Sequence, residues 1–149
     1  MTGGSQQGAE RFHATSVAVG DAGALIVGPS GSGKSSLALQ LIGLGARLVA
    51  DDLTRVSVEG DVVTVHAPDR LQGVIEARGV GLIHVPWMQT ATLQLVVDMS
   101  KDEVARHPRS RRLTTVAGCD IDLVLRVDAA YFPSAIYNLL HHGRYSDTT

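Results

Sequence analysis

The sequence predicts an α/β domain, a central mixed sheet with flanking helices, built around a P-loop. Three observations carry this. Short branched apolar runs bounded by glycine read as buried strands, the octapeptide "GPSGSGKS" lies between one such run and a helical stripe, and the next run ends on two acids. The 149 residues suffice for one core and are too few for two ordinary domains. We read a flexible N-terminus over residues 1–11, one domain over 12–143 and a flexible tail over 144–149.

Residues 1–11 are polar, glycine-rich and without periodicity, so order is expected to begin near Phe12. "SVAV" (Ser16 to Val19) and "ALIV" (Ala24 to Val27), joined by "GDAG", read as a hairpin whose second strand is buried. From Lys34 to Leu44 the apolar residues Leu37, Ala38, Leu41 and Leu44 make a helical stripe, stopped by Gly45 where a C-terminal glycine belongs. "RLVA" (Arg47 to Ala50) is a second buried strand, and "RVSV" with "VVTVH" a second hairpin turning at Glu59 to Asp61. "GVIEARGVGLIHV" (Gly73 to Val85) is apolar at both ends and broken by Glu76, Arg78 and two glycines. "ATLQLVV" (Ala91 to Val97) and "CDIDLVLRV" (Cys119 to Val127) are further strands. "SAIYNLLHH" (Ser134 to His142), preceded by Pro133, is a C-terminal helix. Lys101 to Arg112, with "RHPRSRR", reads as a charged surface loop or broken helix.

The formal net charge of -2, with 44% hydrophobic and 19% charged residues, removes any global electrostatic attraction to nucleic acid or anionic membrane. A phosphate ligand must be held locally. The lone Cys119 makes no internal disulfide, "MTGGSQQGAERF" lacks a signal peptide's apolar stretch, and no run approaches the roughly 20 apolar residues of a membrane span. The expected location is the cytoplasm.

Gly28 to Ser35 satisfy G-x-x-x-x-G-K-[ST], after a predicted strand and before a predicted helix. In such a loop, formed by Gly28, Pro29, Ser30, Gly31, Ser32 and Gly33, the three glycines let the backbone fold so that its N–H groups point inward. The helix N-terminus adds its positive dipole end, and Lys34 reaches the outer phosphates as a point charge. Ser35 offers its hydroxyl to Mg²⁺, an ion that keeps oxygen ligands and needs few from protein. The loop alone leaves hydrolase, switch and kinase open.

Asp51 and Asp52 stand at a strand's carboxyl end, where open α/β sheets place their chemistry. Adjacent residues there point to opposite faces, so one of the two faces the phosphates. A carboxylate free of metal can take the proton of an attacking hydroxyl; capping a turn is the other role open to the pair. Glu76, an acid among apolar neighbours, costs energy unless paired or bound to metal. Arg78, two residues on and on the same strand face, and a metal ion are both open as its partner.

"HATSVAVGDAGALIVGPSGSGKSS", "RLVADD" and "IEARGVGLIHV", in this order, resemble the catalytic domain of the HPr kinase/phosphorylase family, in its short alphaproteobacterial form. The resemblance covers about His13 to Arg106. It implies a P-loop fold akin to that of phosphoenolpyruvate carboxykinase and an ATP- and Mg²⁺-dependent protein-serine kinase acting on the phosphocarrier protein HPr. The reverse phosphorylase reaction belongs to the family as well. Residue by residue, it implies Asp52 as proton acceptor, Lys34 as catalytic lysine, and Ser35 and Glu76 as holders of Mg²⁺. It also implies catalytic roles for His13 and for an arginine, Arg106 by position, with Arg109 and Arg111 competing. The lysine and glycine that longer members link to dephosphorylation are absent from "LVLRVDAAYFP" (Leu125 to Pro133), so kinase action is implied more firmly than phosphorylase action. Longer members are hexamers, and the departures of this chain from their pattern leave a homo-oligomer open rather than implied.

Two other classes share the loop. A small-molecule kinase would use the arginines from 106 to 112 as a lid over an acceptor pocket, and a regulatory module would bind nucleotide without turnover. For a protein acceptor, "VGLIHVPW" with Trp87 and Met88, and the basic "RHPRSRR", are candidate docking surfaces; a core Trp87 and a solvated loop at Arg109 to Arg112 are the other roles open to them.

Overall fold

The structure is a computed structural model that describes residues 10–107 and 111–145. Its elements run β1 (Glu10–Phe12), β2 (Ala14–Val19), β3 (Ala22–Val27), α1 (Lys34–Leu44), β4 (Arg47–Ala50), β5 (Thr54–Glu59) and β6 (Val62–His66). After them come β7 (Val74–Ala77), β8 (Gly81–His84), β9 (Thr90–Asp102), β10 (Arg112–Val116), β11 (Cys119–Arg126) and α2 (Phe132–His142). The larger sheet has the order β1-β5-β6-β9-β3-β2-β4, with the β10–β11 hairpin joined to β9 through β11. β3 and β11 both run parallel to β9 while the remaining pairs are antiparallel, so the sheet is mixed, as expected.

Strand alternation divides the core into two layers. Ala24 and Ile26 of β3, with Leu95 and Val97 of β9, face α1, α2 and Ile75. Leu25 and Val96 face the other way, onto Val56, Val63 and Val65 and onto Val116 and Ile121 of the β10–β11 hairpin. Strands buried on both faces read as unbroken apolar runs, which is why "ALIV" and "LVV" carry no polar alternation. The helix α1 buries Leu37, Ala38 and Leu41, while Leu44, expected in the same stripe, is exposed because the chain has already begun to turn. Gly45 and Ala46 close the helix by donating to Ile42 and Leu41 carbonyls.

Four differences from the sequence reading are local. Glu10–Phe12 pairs with Thr54–Val56, so part of the expected flexible segment is a strand. β9 continues to Asp102, since Arg126 of β11 pairs with it there. β10 occupies Arg112–Val116, at and beyond the end of the expected loop. Gly73 to Val85 folds back on itself as the two-stranded sheet β7–β8, separate from the larger one. The remainder of the expected termini, residues 1–9 and 146–149, lies outside the described residues, as does Arg109. Among the described residues no helix is long and apolar enough to cross a membrane.

Candidate active site

The site forms where β3 delivers the chain to α1. Val27 ends β3 level with Asp98 of β9, and the glycine loop leaves from that edge. Gly28 has φ 147, and a Cβ there would stand 2.6 Å from Ser32 Oγ and 3.3 Å from Met99 Cβ, so only glycine lets the loop close over β9. Gly31 and Gly33 also have positive φ, and Gly33 begins α1 without any side-chain cap. The first amides of α1 therefore have no side-chain acceptor competing for them, which suits an anion. Ser32 Oγ is buried without a hydrogen-bond partner among the described residues, a polar atom that a phosphate oxygen would satisfy. Lys34 Nζ donates to the carbonyls of Gly28 at 2.8 Å and Pro29 at 3.1 Å, bracing the loop with the same ammonium that would meet phosphate.

Asp51 is the junction of the site. Its Oδ1 accepts from Ser35 Oγ at 2.8 Å and from Thr15 Oγ1 at 3.1 Å, and its Oδ2 accepts from the Glu76 amide at 3.3 Å. One carboxylate thus ties together the helix start, strand β2 and hairpin β7–β8. Asp52 turns the other way. It is exposed, with φ 70, a left-handed backbone that aspartate tolerates better than most residues. Two bonds hold this turn: Asp52 N donates to Thr15 Oγ1 at 3.2 Å and Leu53 N to Asp51 O at 2.8 Å.

Glu76 is exposed, because β7 turns Ile75 and Ala77 inward and Glu76 outward. The burial cost anticipated from its apolar neighbours therefore does not arise. Arg78 lies in the turn beyond β7 rather than on the strand, and it forms no ion pair with Glu76 among the described residues. Ser35 and Asp51 bring their oxygens together here and Glu76 joins through its backbone amide; hydroxyl and carboxylate oxygens are hard donors of the kind Mg²⁺ takes alongside phosphate. Among the described residues no three His, Cys, Asp or Glu side chains converge into a protein-only metal cage. The residues present fit a magnesium nucleotide.

The sequence model of the HPr serine kinase C-terminal domain family matches residues 6–122. The chain belongs to this family. Its relatives include the HPr kinase/phosphorylases of Stenotrophomonas maltophilia (strain K279a) and Xylella fastidiosa (strain M12), each 36% identical over 127 residues. Each match takes in 76% of this chain and 40% of the relative, so the chain spans well under half the length of these curated relatives. A solved structure of the HPr(Ser) kinase/phosphatase from Coxiella burnetii superposes with a TM-score of 0.75, covering 89% of this chain and 88% of that one at 23% identity. That likeness is one of fold.

Within this HPr serine kinase C-terminal domain, the residues singled out from sequence fall into two groups. Lys34, Ser35, Asp52 and Glu76 come together around Asp51 and the loop. His13 is exposed in the bend between β1 and β2, next to Ala14, which pairs with Val27, so it stands at the edge from which the loop departs. Arg106 is exposed in the segment after β9 and forms no hydrogen bond or ion pair with the loop, Asp52 or Glu76 among the described residues. Arg111 is held by Asp122 at 3.4 Å. The segment bearing Arg106 is itself anchored: Glu103 accepts from Arg112 Nε at 2.8 Å and Nη2 at 2.9 Å, and from the Ala105 amide at 3.0 Å. These bonds, the guanidinium's first and the amide's next, draw the Glu103 carboxyl down to about 2.

Sequence reasoning missed Thr15 and left Asp51 without a specific role. A hydroxyl on a fully buried strand needs a partner, and Thr15 is 0% exposed, so its presence in "HATSVAV" was a signal. Away from this site, a cavity lined by Ala22, Leu95, Asp122, Leu139, Leu140 and Arg144 opens at the end of β3 opposite to the loop. Leu53, next to Asp52, and Val80 and Leu82, on the hairpin that carries Glu76, are exposed.

Proposed function

We propose that this domain is an ATP- and Mg²⁺-dependent protein-serine kinase that phosphorylates the phosphocarrier protein HPr, with the reverse phosphorylase reaction left open. The observation that supports this best is the junction at Asp51, which brings Ser35 of the loop and the backbone of Glu76 onto one carboxylate. Family membership supplies the acceptor.

The residues divide the work as follows. The loop amides from Gly28 to Gly33, the start of α1 and Lys34 bind and orient the nucleotide phosphates. Ser35 and Glu76 would hold Mg²⁺, with Asp51 fixing both from behind, and the ion when bound neutralises charge on the phosphate oxygens. Asp52, exposed beside this cluster, accepts the proton of the acceptor serine as its oxygen forms the bond to phosphorus and the bond to the leaving oxygen breaks. His13 and Arg106 are assigned supporting roles at the rim, His13 from its place at the loop edge and Arg106 from its position in the family pattern.

A folded protein must reach Asp52, and the exposure of Asp52 with its neighbour Leu53, and of Val80 and Leu82 on the hairpin that carries Glu76, suits such an acceptor better than a small metabolite in a closed pocket. We assign HPr docking to this apolar rim. The test is transfer of label from γ-labelled ATP with Mg²⁺ to HPr and to HPr whose target serine is alanine. Label on the first alone is expected; label on neither, with ATP still bound, contradicts the kinase reading.

A further inference from the structure

Hairpin β7–β8 carries Glu76 yet belongs to no larger sheet, so something other than strand pairing must fix where Glu76 stands. Ile75, fully buried among α1 residues, anchors it from below. The Glu76 amide bond to Asp51 is long, at 3.3 Å, and cannot set the position alone.

The remaining attachment runs through Trp87. The chain after β8 zips onto the edge of β4: Leu48 N donates to Pro86 O and Met88 N to Leu48 O, both at 2.9 Å, forming a parallel bridge between Leu48 and Trp87. The indole then lies against Gly73 at the base of β7. A Cβ on Gly73 would stand 2.5 Å from Trp87 Cδ1 and 2.9 Å from Cγ, and Gly73 has φ 69, so this seat is open to glycine only. The Gly73 carbonyl in turn accepts from Val85 N at 2.9 Å, closing the hairpin base. Leu48 lies three residues before Asp51, and Gly73 three residues before Glu76. The backbone on either side of Trp87 thus holds the arm that leads to Asp51, and its indole, 37% exposed, holds the arm that leads to Glu76.

We propose that Trp87 is a positioning residue, which by seating on Gly73 and bridging to Leu48 holds β7 against β4 and sets Glu76 relative to Asp51. The inference rests on the reading of Glu76 as a metal-facing group. Its test uses Mn²⁺ as the probe, titrated by electron paramagnetic resonance into the protein with ADP, beside amide hydrogen exchange of the free protein. In Trp87→Ala, Mn²⁺ affinity falls about tenfold, as losses of supporting contacts at metal sites do. ADP affinity without metal stays unchanged, and exchange accelerates over β7–β8 but not over α1. Trp87→Phe, which keeps a ring on Gly73, restores Mn²⁺ affinity to within about twofold of the parent. Parent-like Mn²⁺ affinity in Trp87→Ala, with Glu76→Gln weakened, overturns the positioning role and leaves the metal role of Glu76 intact. Parent-like affinity in Glu76→Gln overturns both. Should Trp87→Ala exchange rapidly throughout the chain, Gly73→Ala decides: it keeps the indole but lifts it from its seat, and parent-like Mn²⁺ affinity there also overturns the proposal.

Discussion

Asp51 accepts a 2.8 Å hydrogen bond from Ser35, while its neighbour Asp52 faces solvent with a left-handed backbone. Two adjacent and chemically identical side chains are thereby placed differently, the first tied to three donors and the second open to solvent.

If Asp51 is the junction, its removal leaves the hydroxyls of Ser35 and Thr15 and the amide of Glu76 without their acceptor. Asp51→Ala is expected to lose about 1–3 kcal/mol of stability in urea unfolding and to need more Mg²⁺ for transfer. Asp51→Asn retains one carbonyl oxygen and should lie between. Unchanged stability in Asp51→Ala contradicts the junction.

Gly28→Ala places a methyl 2.6 Å from Ser32 Oγ at a backbone φ of 147. The loop must open, with a cost of about 1–3 kcal/mol for a strained residue. ADP affinity measured by calorimetry should drop by about tenfold or more, as the loop amides lose their common aim. Parent-like affinity would count against the cradle.

Val80 is 77% exposed at the tip of the β7–β8 hairpin, so Val80→Asp should shift stability by less than about 0.5 kcal/mol. It adds charge to the rim assigned to HPr. The KM for HPr is expected to rise while the KM for ATP holds, and steady-state transfer with each substrate varied reads both. An unchanged KM for HPr moves the docking surface elsewhere.

The Glu103 carboxyl is drawn down to about 2 by Arg112 and the Ala105 amide. A depressed carboxylate stabilises the fold above its unfolded value, near about 4.3, and that contribution is lost as pH falls through the folded value. Glu103→Gln should therefore be less stable than the parent at about pH 7, with the gap closing towards about pH 2. Urea unfolding at both pH values checks this, and a gap that widens in acid refutes it.

The glycine loop and α1 were legible because their constraints are local. A 3.6-residue stripe, a glycine stop and the phosphate-loop spacing do not depend on the rest of the chain. β10 was not, since "RLTTV" adjoins a run of arginines and pairs only with β11; its signal was Ala117–Gly118, a two-residue turn with φ 50 and 81. Family resemblance pointed to Asp52, but no pattern told which aspartate turns toward Ser35. The chain bends at that pair, so strand alternation stops deciding direction just where the chemistry begins. Likewise Glu76 looked buried from its neighbours in sequence, whereas a separate two-stranded hairpin leaves one face open to solvent.

The most direct measurement is single-turnover transfer from γ-labelled ATP to HPr by the parent and by Asp52→Asn, with ADP affinity determined on both. The predicted result is a loss of about 10²-fold or more in transfer, the scale of a general base, with ADP affinity held within about twofold. Transfer at the parent rate in Asp52→Asn contradicts the assignment of the exposed aspartate as proton acceptor.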